Sequence, residues 1–234
     1  MDFRIKIKET YDQISEKYDQ VRRQPWKDLI EFIEAHGFFD ECYILLDLGC
    51  GNGRHTNLFA DKCNSIIGLE LSNELLKIAK SNCRTNNTFF INGDALHLPF
   101  RDNIFSNIIY VAAIHHLSNE KQRENSLIEL KRVLSSRGKA IITAWRRYQE
   151  EFLIIFLIDL LFLNFKKRGL EFGDIFIPWH GSDKKIIANR FYHLFTMREL
   201  KNLLSRTRLK ILECKYFSGK SRTANIITLF EKEL

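Results

Sequence analysis

A chain of 234 residues that is 45% apolar and 28% charged, with 11 Gly and only 3 Pro, excludes a collagenous, mucin-like or largely disordered protein. It suffices for one sizeable core but is short for two. The formal charge of +7 is unevenly placed: residues 1–144 carry 19 basic and 19 acidic groups, whereas residues 145–222 carry 16 and 8. A surplus confined to one late segment suits a face that meets a polyanion or an acidic substrate.

In chain order, residues 4–18 and 25–36 have helical spacing, and Gly37 can close the second segment. Residues 43–48 form a short apolar run that ends in Gly49-Cys50-Gly51-Asn52-Gly53, the pattern of a buried strand entering a tight loop. A helix over 54–62, a strand over 65–69, a helix over 73–83 and a strand over 88–91 follow. Then come a strand over 105–111, a helix over 120–134 and a strand over 139–144. Strands separated by helix-length patterns indicate an α/β sheet paired in parallel through right-handed crossovers.

The last third changes style. Residues 152–163 are oily but too few, with Asp159 among them, to span a membrane, and they read as a helix buried in the protein or against a partner. A loop over 169–185, a helix over 196–206 and strands over 210–217 and 224–231, joined by a hairpin loop at 218–221, complete the chain. The whole is expected to be one domain. The N-terminus lacks the apolar run of a signal peptide. The five cysteines, at positions 42, 50, 63, 83 and 214, form no CxxC pair and leave an odd one over, which speaks against a disulfide framework and a cysteine-built zinc site. A cytoplasmic, reducing setting is therefore expected, and no metal.

In Asp47-Leu48-Gly49-Cys50-Gly51-Asn52-Gly53, alternate glycines let the backbone turn sharply and approach a ligand that side chains would exclude. Arg54 stands where a dinucleotide fingerprint would have its last glycine, and no Walker A sequence is present. Glu70-Leu71 ends the next strand, where a carboxylate can accept both hydroxyls of a ribose, and Asp94-Ala95 follows the third, beside an adenine if the strand ends share one crevice. His115 and His116 leave the fourth strand at the same rim, one free to face the crevice and the other its support. Farther on, Arg190 and His193 would share a face on a helical turn, where an arginine fork can grip a carboxylate or phosphate. Trp179 or Tyr192 could stack on a flipped base.

These residues resemble the class I S-adenosylmethionine-dependent methyltransferases, most closely over residues 8–145. The resemblance implies a Rossmann-like fold: a seven-stranded, mostly parallel sheet with an antiparallel final strand and helices on both faces. It implies that the glycine loop supports the methionine part of the cofactor, that Glu70 holds the ribose and that Asp94 lies near the adenine amine. Tyr11-Asp12 with Tyr18 resembles the family's N-terminal cofactor cover, so residues 1–40 would form covering helices. The implied cofactor set is Tyr18, Asp47, Gly49, Cys50, Gly51, Gly53, Glu70, Leu71, Asp94 and Ala95.

A narrower resemblance follows. His115-His116-Leu117-Ser118, Pro178-Trp179 and Arg190-Phe191-Tyr192-His193-Leu194-Phe195 are similar to signatures of the tRNA wobble-uridine carboxymethyl methyltransferases, which include an animal domain fused to an AlkB-type dioxygenase and a stand-alone fungal enzyme. It implies esterification of 5-carboxymethyluridine at position 34 of the anticodon loop, with Arg190, His116 and His193 catalytic and His115, Trp179, Tyr192, Arg146 and Lys167 binding substrate from an insertion over 146–207. Arg146, Arg147, Lys166, Lys167, Arg168, Lys184, Lys185, Lys220 and Arg222 would meet tRNA phosphates. A small zinc-binding activator would cover the edge strand at 88–91, and no membrane is involved. Two departures stand out: Ser135-Ser136-Arg137-Gly138 replaces the family's Pro-Gly-Gly turn, and the oily stretch with Lys166-Lys167-Arg168 is unusual. A small-molecule O- or C-methyltransferase shares every cofactor residue, and a non-catalytic cofactor- or RNA-binding protein is the other alternative.

Overall fold

The computed structural model describes residues 3–162, 169–181, 183–217 and 225–233. Helices α1 (Phe3–Val21) and α2 (Lys27–Ala35) precede a regular alternation of β1 (Ile44–Leu48), α3 (Arg54–Leu58), β2 (Ser65–Glu70), α4 (Asn73–Asn82), β3 (Thr88–Asn92), β4 (Phe105–Val111), α5 (Glu120–Val133) and β5 (Leu134–Ala144). Then follow α6 (Leu153–Phe162), β6 (Asp174–His180), β7 (Ile186–His193), α7 (Met197–Arg206), β8 (Lys210–Phe217) and β9 (Asn225–Glu231). Helix starts are set locally. The Ser72 hydroxyl caps α4 by accepting from Leu75 N, the Asn119 side chain caps α5 from Gln122 N, and Thr196 with Glu199 closes a full capping box on α7.

Seven strands form one sheet in the order β3-β2-β1-β4-β5-β9-β8. The first five pair in parallel, and β9 runs antiparallel between β5 and β8. The period-2 alternation of the central strands sends Leu46, Ile108 and Ile142 into one core with Leu127, Leu130, Leu200 and Leu204 from α5 and α7. Their neighbours Leu45, Ile109 and Ile141 enter a second core with Leu29, Phe32 and Ile33 of α2. Both faces are thus covered, which is why these strands read as continuous apolar runs. The order reverses between β1 and β4, and a crevice opens beyond their C-terminal ends. This is the expected Rossmann-like sheet.

Four expectations need correction. Residues 174–180 are a strand rather than part of a loop, because a two-stranded hairpin is all edge and tolerates Pro178, which pairs with Asn189. Residues 186–193 are its second strand, so Arg190 and His193 do not share a helical face. The oily helix is not buried within the chain, the first of its two expected settings: Phe152 and Phe156 point inward, but Ile154 and Leu161 are each 71% exposed. Cys42 and Cys63 form a disulfide, since an odd count excludes complete pairing but not one bridge. The loop at 218–221 lies outside the described residues, as do Lys166, Lys167, Arg168, Lys220 and Arg222. Among the described residues, no helix is long and apolar enough to cross a membrane.

Candidate active site

The glycine loop after β1 is built for close approach. Gly49, Gly51 and Gly53 all have positive φ, between 58° and 76°, and a Cβ on Gly49 would stand 2.6 Å from the Ala113 Cβ. The Leu69 carbonyl accepts from Gly49 N at 2.7 Å and Cys50 N at 3.0 Å, locking the loop to the end of β2. Beneath it Asp47 is buried and accepts from the Thr56 hydroxyl at 2.6 Å; burial pushes its carboxyl up to about 7. Asp47 thus ties β1 to α3. Cys50 is also buried, and desolvation holds its thiol protonated, well above its usual range.

Glu70 is placed at the rim of the same cavity by two backbone donors, Gly51 N at 2.9 Å and Ser72 N at 2.8 Å, one to each carboxylate oxygen. Each oxygen keeps a second acceptor direction, as a ribose diol requires. Desolvation raises its pKa above the ordinary value. Leu71, Asp94 and Ala95 line the cavity as well. Asp94 accepts from Leu96 N at 2.9 Å and from Arg4 of α1 at 2.6 Å. Arg4 has no distinguishing signal in the sequence, whereas Asp12 belongs to the Tyr11-Asp12 pair of the expected cover; both fasten α1 across the rim, the Asp12 carboxylate accepting from the Ser72 hydroxyl at 2.6 Å and Glu74 N at 3.1 Å. Tyr11 and Tyr18 on this helix face the cavity with their rings edge to face, 5.7 Å apart. The glycine wall, the two acids and the aromatic cover fit a nucleoside cofactor with an amino-acid tail.

His115 and His116 occupy a 3-10 turn after β4 and divide the work. His116 lines the cavity; its Nδ1 donates to the Phe191 carbonyl at 2.8 Å, which leaves Nε2 to accept from the Tyr11 hydroxyl at 2.8 Å. Burial, and more weakly the Arg190 charge, push its pKa down to about 4, so the ring is neutral at pH 7. His115 is fully enclosed, stacks on Tyr192 at 4.9 Å and leaves Nδ1 without a partner among the described residues.

The β6–β7 hairpin lies on this same rim. Strand alternation puts Arg190 and Tyr192 on one side and His193 on the other. Arg190 is only 8% exposed; its Nη1 donates to the Tyr192 hydroxyl at 2.9 Å and its guanidinium lies 4.7 Å from the Trp179 ring centroid. Its Nε has no partner among the described residues. Trp179 in turn sits 6.1 Å from Tyr18, and Tyr192 4.6 Å from His116, so Arg190 stands one layer behind the cavity wall. His193 points away, its two ring nitrogens 2.7 Å from Asp174 and from Glu199. Glu171, Asp174 and His193 have metal-compatible spacing, but both imidazole nitrogens already face carboxylates. Arg147 is buried against Glu199 at 2.6 Å and is not free to meet phosphate, while Arg146 lies 4.5 Å from the Tyr216 ring. Lys167 lies outside the described residues.

Comparison with known proteins bears on this geometry. Residues 46–142 match the methyltransferase domain family Methyltransf_11. A protein of Encephalitozoon cuniculi named "Putative methyltransferase" is 30% identical over 207 residues, covering 87% of this chain and 86% of its own length. The chain belongs to the class I S-adenosylmethionine-dependent methyltransferases. This methyltransferase is also 34% identical to the tRNA (carboxymethyluridine(34)-5-O)-methyltransferase of Xenopus tropicalis over 86% of its length, although it spans just 37% of that longer protein. It is therefore related to the tRNA wobble-uridine methyltransferases at moderate identity. Among solved structures, the "Complex between the Haloferax volcanii Trm112 methyltransferase activator and the putative methyltransferase" has the same fold, with a TM-score of 0.63 at 15% identity, covering 97% of this chain and 98% of that one.

Proposed function

We propose that the enzyme methylates a carboxylate oxygen of 5-carboxymethyluridine at tRNA position 34, giving the 5-methoxycarbonylmethyl ester. The observation that carries this reading is Arg190, a buried guanidinium behind the wall of the cofactor cavity whose Nε has no partner among the described residues. A buried cation with a free donor is costly unless an anion completes it, and a planar fork matches a carboxylate. The relation to the Xenopus tropicalis enzyme supports the same acceptor.

S-adenosylmethionine, when bound, supplies an electrophilic methyl group on a sulfonium. A carboxylate with an ordinary pKa near 4 is already ionised at neutral pH, so the chain needs no general base. What its residues provide is alignment and exclusion of water. Arg190 holds the oxygen that is not attacked, because gripping the nucleophilic oxygen would stabilise the ground state more than the transition state. His116, neutral and fixed by Phe191, orients the base, and Trp179 offers it a stacking face. His193 takes no part, since it faces Asp174 and Glu199. The exposed Lys184 and Lys185 lie at the hairpin's turn, where backbone phosphates would pass. An activator is expected on β3, the sheet edge where Phe89 is 54% exposed.

The test supplies labelled S-adenosylmethionine and tRNA carrying carboxymethyluridine, with and without a Trm112-type activator, and identifies the labelled nucleoside. Label in the ester of the wobble uridine is expected. Label on a ring atom of any base, or on free small acids with none on tRNA, would overturn the reading.

A further inference from the structure

The side of the β6–β7 hairpin turned away from the cavity carries a chain of charges that runs to α5, to α7 and to the segment after β5. His193 is 1% exposed, and its Nδ1 and Nε2 each lie 2.7 Å from a carboxylate, Asp174 across the ladder and Glu199 on α7. Arg147, just after β5, donates to Glu199 at 2.6 Å and to the Leu194 carbonyl at 2.9 Å. Arg123 of α5 donates to Glu171 and, at 3.0 Å, to the carbonyl of Leu117, the residue that ends the His115-His116 turn. The Glu171 backbone N–H donates in turn to Asp174 at 2.8 Å. Arg123, Arg147, Asp174 and His193 are buried, and Glu171 and Glu199 are half-buried.

Each imidazole nitrogen faces an acceptor, so each must donate. An ordinary imidazole is a stronger base than an ordinary carboxylate, which leaves both protons on the ring. The charge count agrees: three carboxylates, Glu171, Asp174 and Glu199, meet two guanidiniums, Arg123 and Arg147, and an imidazolium supplies the third positive charge. Burial opposes ionisation of Glu199, but His193 and Arg147 outweigh it and hold its carboxyl below the usual range. Removing one member of such a set strands its partners, which costs far more than the set contributes when complete. We infer that His193 is a positioning residue, a buried imidazolium whose charge seats the hairpin against α5 and α7 and so sets Arg190 and Tyr192, on the other side of the same strand, against the cavity wall. No atom of His193 has to reach the acceptor. Its strand neighbours make the contact, the Phe191 carbonyl by holding His116 and Tyr192 by packing on that ring. The consequence for the acceptor rests on the function proposed above, whereas the charge balance rests on geometry alone.

Hydrogen exchange over residues 186–193 reads the seating without substrate, and labelled methyl transfer to tRNA carrying carboxymethyluridine reads its effect. His193→Gln fills the space but leaves an uncompensated negative charge. Exchange in the hairpin should accelerate about tenfold or more while residues 105–111 of β4 keep theirs, and kcat/KM for the tRNA should fall about tenfold with S-adenosylmethionine affinity unchanged. Glu199→Gln preserves the capping box of α7 and removes one negative charge, so adding it to His193→Gln should restore hairpin protection and most of the activity. Rescue by a second substitution follows from a charge role and not from a packing role. Unchanged hairpin exchange in His193→Gln overturns the inference, as does a double variant no better protected than the single one. Should His193→Gln alone fail to fold, the balanced double variant must fold, and its failure overturns the inference too. Wild-type hairpin protection that is lost to a chelator and returned by zinc would assign the nitrogens to a metal, with the same result. A wild-type chain that labels no tRNA would overturn the acceptor, and the exchange measurement would still decide the clamp.

Discussion

The cofactor rim and the β6–β7 hairpin lie side by side but turn different groups toward a ligand. At the rim, backbone groups shape the cradle: Leu69 carbonyl to two loop amides, and Gly51 and Ser72 amides to Glu70. In the hairpin, side chains hold other side chains, through the Arg190, Tyr192 and Trp179 stack on one side and the His193, Asp174 and Glu199 set on the other. A rim made of main chain suits a cofactor common to many reactions, whereas a hairpin made of side chains can be retuned for one acceptor without disturbing the sheet. The difference teaches that substitutions in the two regions should separate cofactor binding from acceptor use.

The largest effect should come from the hairpin. Arg190→Ala is expected to lower kcat/KM for carboxymethyluridine-bearing tRNA about a hundredfold, a loss of about 3 kcal/mol, with cofactor affinity unchanged by calorimetry. Arg190→Lys should recover little, because a point charge does not reproduce the fork. Loss of cofactor binding in either variant would break the separation. The converse test lies in the rim: Gly49→Ala meets Ala113 and a positive φ at once, and should weaken S-adenosylmethionine about tenfold or more, read by the same calorimetry. Unchanged affinity would mean that the loop is not the cradle.

A smaller effect concerns His116, which joins the two regions. Its folded pKa of about 4 lies below the ordinary 6.5, so between these values the unfolded chain binds a proton that the folded chain does not. Stability should therefore fall as pH drops through that window, by at most about 3 kcal/mol from this one group. Asp47 acts in the opposite sense: with a folded pKa raised from 3.8 to about 7, it favours the folded state at low pH and loses that contribution as pH rises between those values. Urea unfolding across the window should show a shallower acid loss in His116→Gln and a steeper one in Asp47→Asn. Identical slopes in all three proteins would contradict the buried, neutral assignment of the imidazole.

The regions also differed in how much their sequences revealed. The strand-loop-helix rhythm of residues 43–144 is dictated by local backbone requirements, so glycines at fixed spacing and apolar runs are legible. The hairpin was not, because Pro178 argues against a strand unless the strand has a free edge, a property of topology rather than of local sequence. Arg190 was singled out from its residue type and neighbours, but its side of the chain depends on a period of two instead of 3.6. Arg4 on Asp94 and Asp12 on Ser72 join residues far apart in sequence; the Tyr11-Asp12 pair pointed to a covering helix, but no pattern in α1 announces these partners. The oily composition of α6 allows burial in the protein or against a partner, and only the fold decides against the first by turning Ile154 and Leu161 outward.

The bond from the His116 ring to the Phe191 carbonyl has a spectroscopic consequence. A carbonyl can only accept, so the imidazole is committed to one tautomer for as long as the hairpin stays seated, and its two nitrogen resonances should lie far apart, one protonated and one bare. Release of Phe191 would free the ring to exchange between forms and draw those resonances together. A single long-range nitrogen–proton correlation on this residue would then register docking of the acceptor half of the enzyme without any substrate present.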